Sequence, residues 1–168
     1  MLRSYSMKRY LPQKDFPTYI FIPGENPHPK KSGGHMEGLS DPVSETIDLK
    51  FPDQSEFLRY SLDLFNHGYF WESHVYFEAL WNSHHRVGSV ADFLKGMIKL
   101  GAAGVKLNIH QPQSAIEHLE RARELFLSVK QNEGVLFMGF DLDFIVKQID
   151  STLATSEIQM FQVHPKWV

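Results

Sequence analysis

The side chains best suited to chemistry stand in one segment, Tyr69-Phe70-Trp71-Glu72-Ser73-His74-Val75-Tyr76-Phe77-Glu78-Ala79-Leu80-Trp81. At about 100° per residue, a helix here brings Trp71, His74, Glu78 and Trp81 within roughly 80° of one another. His74 and Glu78 are one turn apart, so both can ligate one ion or bond to each other. Trp71 and Trp81 on either side are expected to exclude water and lower the local dielectric. A carboxylate so placed must raise its pKa or find a cation. Glu72 points about 160° away from His74 and needs a neighbouring element to share a site with it. A His-x-x-x-Glu pair is also an ordinary hydrogen bond at a core edge, and aromatics at helical spacing are ordinary core. Two donors from one helix fall short of the three or four protein ligands of a zinc site.

A second pattern lies downstream, where Lys95, Lys99 and Lys106 fall within about 40° on an otherwise apolar helix. They form either an anion-binding stripe, cationic partners for Glu72 and Glu78, or a solvated face. His28, in Pro27-His28-Pro29, and His35, after Gly33-Gly34, lie in an upstream arm and are candidates to complete a ligand set. His84-His85 is expected at the surface in a loop, and His110, His118 and His164 in surface or capping roles. No phosphate-binding loop, dinucleotide fingerprint, His-Glu-x-x-His or Gly-x-Ser-x-Gly motif occurs. The one glutamate three positions before a histidine, Glu25 before His28, lies in a proline-rich stretch and not on a helix, so the paired helical motifs of carboxylate di-iron bundles are absent.

The elements that must position these residues follow from periodicity and breakers. Residues 1–52 hold seven of the nine prolines together with Gly24, Gly33, Gly34 and Gly38, which excludes long helices there. This stretch is expected to be an extended arm laid over the main domain by its aromatics. Thr18-Tyr19-Ile20-Phe21-Ile22 has strand composition but is too short and isolated to form a sheet. Gly33-Gly34-His35-Met36 has the composition of an expression-vector scar, against which its internal position argues. Asp53 and Glu56 fit a capping box for a first helix, which Asn66-His67-Gly68 ends. Further helices are expected over 69–83, 90–108, from Pro112 onward with an exposed Glu117–Arg121 pair, and after an Asp141 cap. Gly96 and Gly104 in the third share a stripe with Leu100 and imply close helix packing. Short connections between amphipathic helices predict an all-α antiparallel bundle of four to five helices over 53–156, with an irregular tail over 157–168.

Composition agrees with a folded domain: 42% of residues are apolar and 22% charged. A net charge of −3 favours neither nucleic acid nor an anionic membrane, and no apolar run is long enough to span a bilayer. The start, Met1 to Arg9, lacks the features of a secretory signal. The absence of cysteine removes disulfide, thiolate and zinc-thiolate chemistry, and a cytoplasmic location is the expectation.

The pattern Phe65-Asn66-x-Gly68-x-Phe70-Trp71-Glu72-x-His74-x-x-x-Glu78-x-x-Trp81 resembles the signature of domain-of-unknown-function family 309. The likeness continues through Phe93-Leu94-x-Gly96-x-Ile98-x-Leu100 to Ala115, Leu119 and Arg121-Ala122, and in the arm at Pro23-Gly24, Pro27-His28-Pro29 and Gly34-His35. Members are small helical proteins often labelled predicted metal-dependent hydrolases. The resemblance therefore implies a divalent metal, of unspecified identity, at His74 and Glu78, with His28 or His35 as further ligands. Val75 stands where many members carry a glutamate, and Lys106 where short members carry a histidine. Both departures weaken a metal site, and the lysines favour an anionic ligand.

Two functional readings remain. In the first, His74, Glu78 and accessory Glu72 are metal ligands or acid–base groups of a hydrolase, with Trp71, Trp81, Lys99 and Lys106 contacting the ligand. In the second, the bundle is a non-catalytic binding or scaffold module for a protein partner or an anionic ligand. The 42-residue offset between Ser73 and Ala115 is too long for a tetratricopeptide repeat. A third possibility is that the polar cluster only fixes packing register.

Overall fold

Pro52 stops the arm by opening a single 3-10 turn, Pro52–Gln54, and the first helix starts after it. The computed structural model describes residues 7–167, so Met1–Ser6, where most of the leader expectation falls, and Val168 lie outside it. The helices are α1 (Glu56–Asn66), α2 (Phe70–Ser83), α3 (Ser89–Asn108), α4 (Pro112–Glu133) and α5 (Leu142–Ala154). The main helix–helix contacts are between neighbours in the chain, the up-and-down order that short loops impose. The fold is an all-α bundle.

Local chemistry places the helix ends. Ser55, not Asp53, caps α1: its Oγ accepts from Leu58 N at 3.2 Å, while Asp53 sits inside the 3-10 turn that Pro52 begins. Gly68 follows α1 at φ +86°, a left-handed conformation that lets the chain reverse into α2. Asp141 caps α5 through Phe144 N at 3.0 Å. Before it, Leu136–Phe137 and Phe140–Asp141 form a two-residue antiparallel ladder, β1 and β2, too short to show a period in the sequence. Arg121 bonds Glu124 at 2.9 Å rather than Glu117.

The glycines of α3 allow close approach in two directions. A Cβ on Gly96 would lie 2.7 Å from the Phe126 ring of α4, and one on Gly104 would lie 2.4 Å from the Phe70 ring of α2. The core between them holds Leu58, Leu62, Phe65, Phe77, Phe93, Leu94, Met97, Leu100 and Phe126, all essentially inaccessible.

The arm has no strand among the described residues and is tied to the bundle by side chains of α1 and α2. Asp63, fully buried, accepts from Arg9 Nε at 2.9 Å, Tyr10 N at 2.7 Å and Leu11 N at 2.9 Å. Glu72 Oε2 accepts from Phe21 N at 2.9 Å and lies 2.8 Å from His35 Nε2. His84 Nε2 accepts from Ile47 N at 2.9 Å. The tail is irregular but docked, since Asn66 exchanges two bonds with the Val163 backbone at 2.9 and 2.8 Å. No helix among the described residues is long and apolar enough to cross a membrane.

Candidate functional site between the second and third helices

Helix α2 carries two carboxylates with opposite surroundings. Glu72 faces the arm and is 2% exposed. His35 comes against it because the arm turns sharply at Gly34, where any Cβ would collide with the Pro29 and His28 carbonyls at 2.2 and 2.3 Å. Gly34-His35 is therefore a built part of the fold and not a scar. Tyr19 packs on the His35 ring at 4.6 Å and its hydroxyl accepts from His35 N at 3.2 Å. Oε1 of Glu72 is buried without a hydrogen-bond partner. The charge is felt nearby: the Tyr69 hydroxyl is pushed above its usual pKa by burial and by Glu72.

Glu78 and His74 lie on the open side of the same helix. His74 Nε2 stands 3.5 Å from Glu78 Oε2, and the two side chains are 31% and 46% exposed. The expected aromatic shield is incomplete: Trp71 meets the His74 ring edge-on at 5.2 Å but is shared with the arm, and Trp81 is engaged elsewhere. Trp71 stacks edge-on with Phe21 and His28 of the arm, at 5.4 and 5.3 Å. Trp81 carries Lys95 Nζ at 4.4 Å and the Arg86 guanidinium at 4.8 Å from its ring centre. His74 Nδ1 lies 2.5 Å from the Trp71 carbonyl. A carbonyl only accepts, so Nδ1 carries the proton, and in the neutral ring Nε2 presents its lone pair.

Two small clefts flank Trp71 and His74. On the arm side a polar cleft of about 150 Å³ is lined by Lys30, Asp41, His74, Glu78 and Asn82, with Lys30 and Asp41 paired to each other. On the α3 side an apolar cleft of about 190 Å³ is walled by Phe70, Trp71, Ile98, Ala102 and Val105, with His74 and Lys106 as its polar groups. Lys106 Nζ donates to Gln111 Oε1 at 3.2 Å. Lys95, Lys99 and Lys106 have no carboxylate within ion-pair distance among the described residues. Their mutual field is visible in neighbouring groups. Burial and then Lys99 hold the Lys95 ammonium below its ordinary pKa. Burial, Lys99 and Lys106 do the same to His118.

The structure thus brings together Trp71, His74 and Glu78 on the arm side, and Trp71, His74 and Lys106 on the α3 side. It sends Glu72 and His35 to a separate buried cluster and leaves His28 packed on Trp71. Glu72 is therefore not reached by the lysines. Trp81 and Lys99 line neither cleft. Among the described residues no three His, Cys, Asp or Glu side chains are grouped to hold a metal ion. The His74–Glu78 pair alone does not fit the three-protein-ligand pattern of a catalytic zinc site. Asp63 and Asn66 are the important polar residues that the α2 motif did not reveal. Their signal was present in Leu62-Asp63-Leu64-Phe65-Asn66, polar groups inside an apolar helical run.

An up-and-down helical bundle, strapped by an arm and bearing an open polar-aromatic face on its second helix, is the class this geometry defines. Residues 58–118 match the family model described as Domain of unknown function (DUF309). The match covers nearly all of α1, the whole of α2 and α3, and the start of α4. No curated protein matches the chain.

Proposed function

We propose that the protein is a binding module for a small anionic ligand, held between α2 and α3. The observation that carries this reading is the α3 lysine stripe, unpaired with carboxylates, ending at a cleft shared with His74 and Trp71. Cations without internal partners bind external anions, and Lys106 projects one beside a site partly screened from water. Glu72, the one strongly buried acid near the site, is engaged by the arm.

Titrating ¹⁵N-labelled full chain with acetate, inorganic phosphate and benzoate tests the reading. Amide shifts confined to 70–81 and 95–106 support it. Saturable shifts located elsewhere, or none, contradict it.

One observation favours the hydrolytic reading that the family resemblance implies. The Nδ1–H tautomer of His74 leaves Nε2 free as a general base or a metal ligand beside Glu78. Metal content by plasma mass spectrometry, on untagged protein and a His74→Ala/Glu78→Ala variant, decides it. Near-stoichiometric metal, lost from a folded variant, supports a metal site, and metal-free protein after incubation with zinc, manganese and iron removes it.

A further inference from the structure

We infer that the ligand of the α2–α3 site is an amphipathic carboxylate whose apolar body is the size of one aromatic ring. The inference rests on the anion reading above and adds the chemistry of the body. A free inorganic anion has no use for the apolar wall formed by Phe70, Trp71, Ile98 and Val105, and a neutral hydrocarbon has none for Lys106. The cleft joins the two requirements. Its size sets the body: about 190 Å³ lies below the several hundred cubic ångströms of drug-sized sites, while about 150 Å³ of apolar cavity accommodates benzene.

The head is placed by charge. Among the described residues Lys106 Nζ is held only by the neutral Gln111 oxygen at 3.2 Å, a bond that a carboxylate replaces with a stronger charge-assisted one. Glu78 lines the opposite, polar cleft, so no carboxylate of this chain is among the groups lining the apolar one. Ala102 keeps the cleft open, and the neighbouring Gly101 and Gly104 are filled by α2 itself, so the space is specific to this position.

The test compares three probes on the full chain by tryptophan fluorescence and amide shifts. Benzoate carries both parts, acetate only the head, and benzyl alcohol only the body. Benzoate is expected to bind about tenfold or more tightly than either, since a charge-assisted bond and ring burial each contribute more than about 1.4 kcal/mol. Lys106→Ala should remove the advantage over benzyl alcohol, and Ala102→Leu the advantage over acetate, with unchanged circular dichroism. Acetate or phosphate equalling benzoate, with shifts still at the α3 lysines, would overturn the amphipathic class while leaving the anion site intact. Benzyl alcohol equalling benzoate would also overturn it, as a cleft for neutral rings. Silence to every anion would remove both this inference and the anion reading beneath it.

Discussion

The two faces of α2 put the same chemical groups to different uses. Toward the arm, Glu72 is sealed from water and bonded to Phe21 N and to His35, as Asp63 of α1 is to Tyr10 N and Leu11 N. Toward solvent, Glu78 is 46% exposed and stands 3.5 Å from His74. A histidine–carboxylate pair is a clamp on one side and an open, weakly held pair on the other. The buried acids organise chain that has no periodic structure of its own. The exposed groups contribute little to folding and are free to meet a ligand.

The comparison breaks most readily at Asp63, where the largest effect is expected. Asp63→Ala strands two buried backbone donors and the Arg9 guanidinium, so urea unfolding should show a loss of about 3–5 kcal/mol. A loss under about 1 kcal/mol would mean that the arm is not clamped there.

Next comes the small-residue contact that seats α2 on α3. Gly104→Ala presses a methyl into the Phe70 ring, and overpacking of this kind costs about 1–3 kcal/mol. The thermal midpoint should fall, and Phe70→Leu should restore part of it. Failure of Phe70→Leu to compensate would place the strain elsewhere.

A smaller effect is expected from pH. Burial, with His85 adding to it, holds His84 below the ordinary histidine pKa of 6.5, and His118 and His164 are lowered as well, mainly by burial. Groups whose folded pKa is depressed take up protons more readily when unfolded. Their stabilisation is complete above about pH 6.5 and is lost as pH falls below it. The urea midpoint should drop between pH 7.5 and pH 5.5. His84→Gln should flatten part of that drop, since protonated His84 can no longer accept from Ile47 N. A midpoint that rises on acidification would contradict the assignment.

The helical part of this fold was legible in the sequence because it rests on local rules. Pro112, Gly68 and Asp141 mark their helix ends, and the apolar period of α5 survives in Leu142, Ile145, Val146 and Ile149. The arm's path was not legible, because it depends on side-chain-to-backbone bonds such as Phe21 to Glu72, 51 residues apart. Helical angle alone put Glu72 opposite His74, which is correct, but could not supply the partner, which came from His35. The shielding expected of Trp71 and Trp81 is only half met for the same reason: Trp71 packs on His74 but is shared with His28, distant in sequence, and Trp81 is claimed by cations on α3 and on the loop after α2. Asp53 failed as a cap because Pro52 starts a separate turn before the helix does.

The most direct test of the division between the faces of α2 is the unfolding free energy of Glu72→Ala set beside that of Glu78→Ala, in the same buffer by urea titration. The clamp on the arm side predicts a loss of about 2–3 kcal/mol for Glu72→Ala, which leaves Phe21 N and His35 unpaired. The open pair predicts a change within about 0.5 kcal/mol for Glu78→Ala. Equal losses, or a larger one at Glu78, would contradict the account, because the open pair would then be holding the fold.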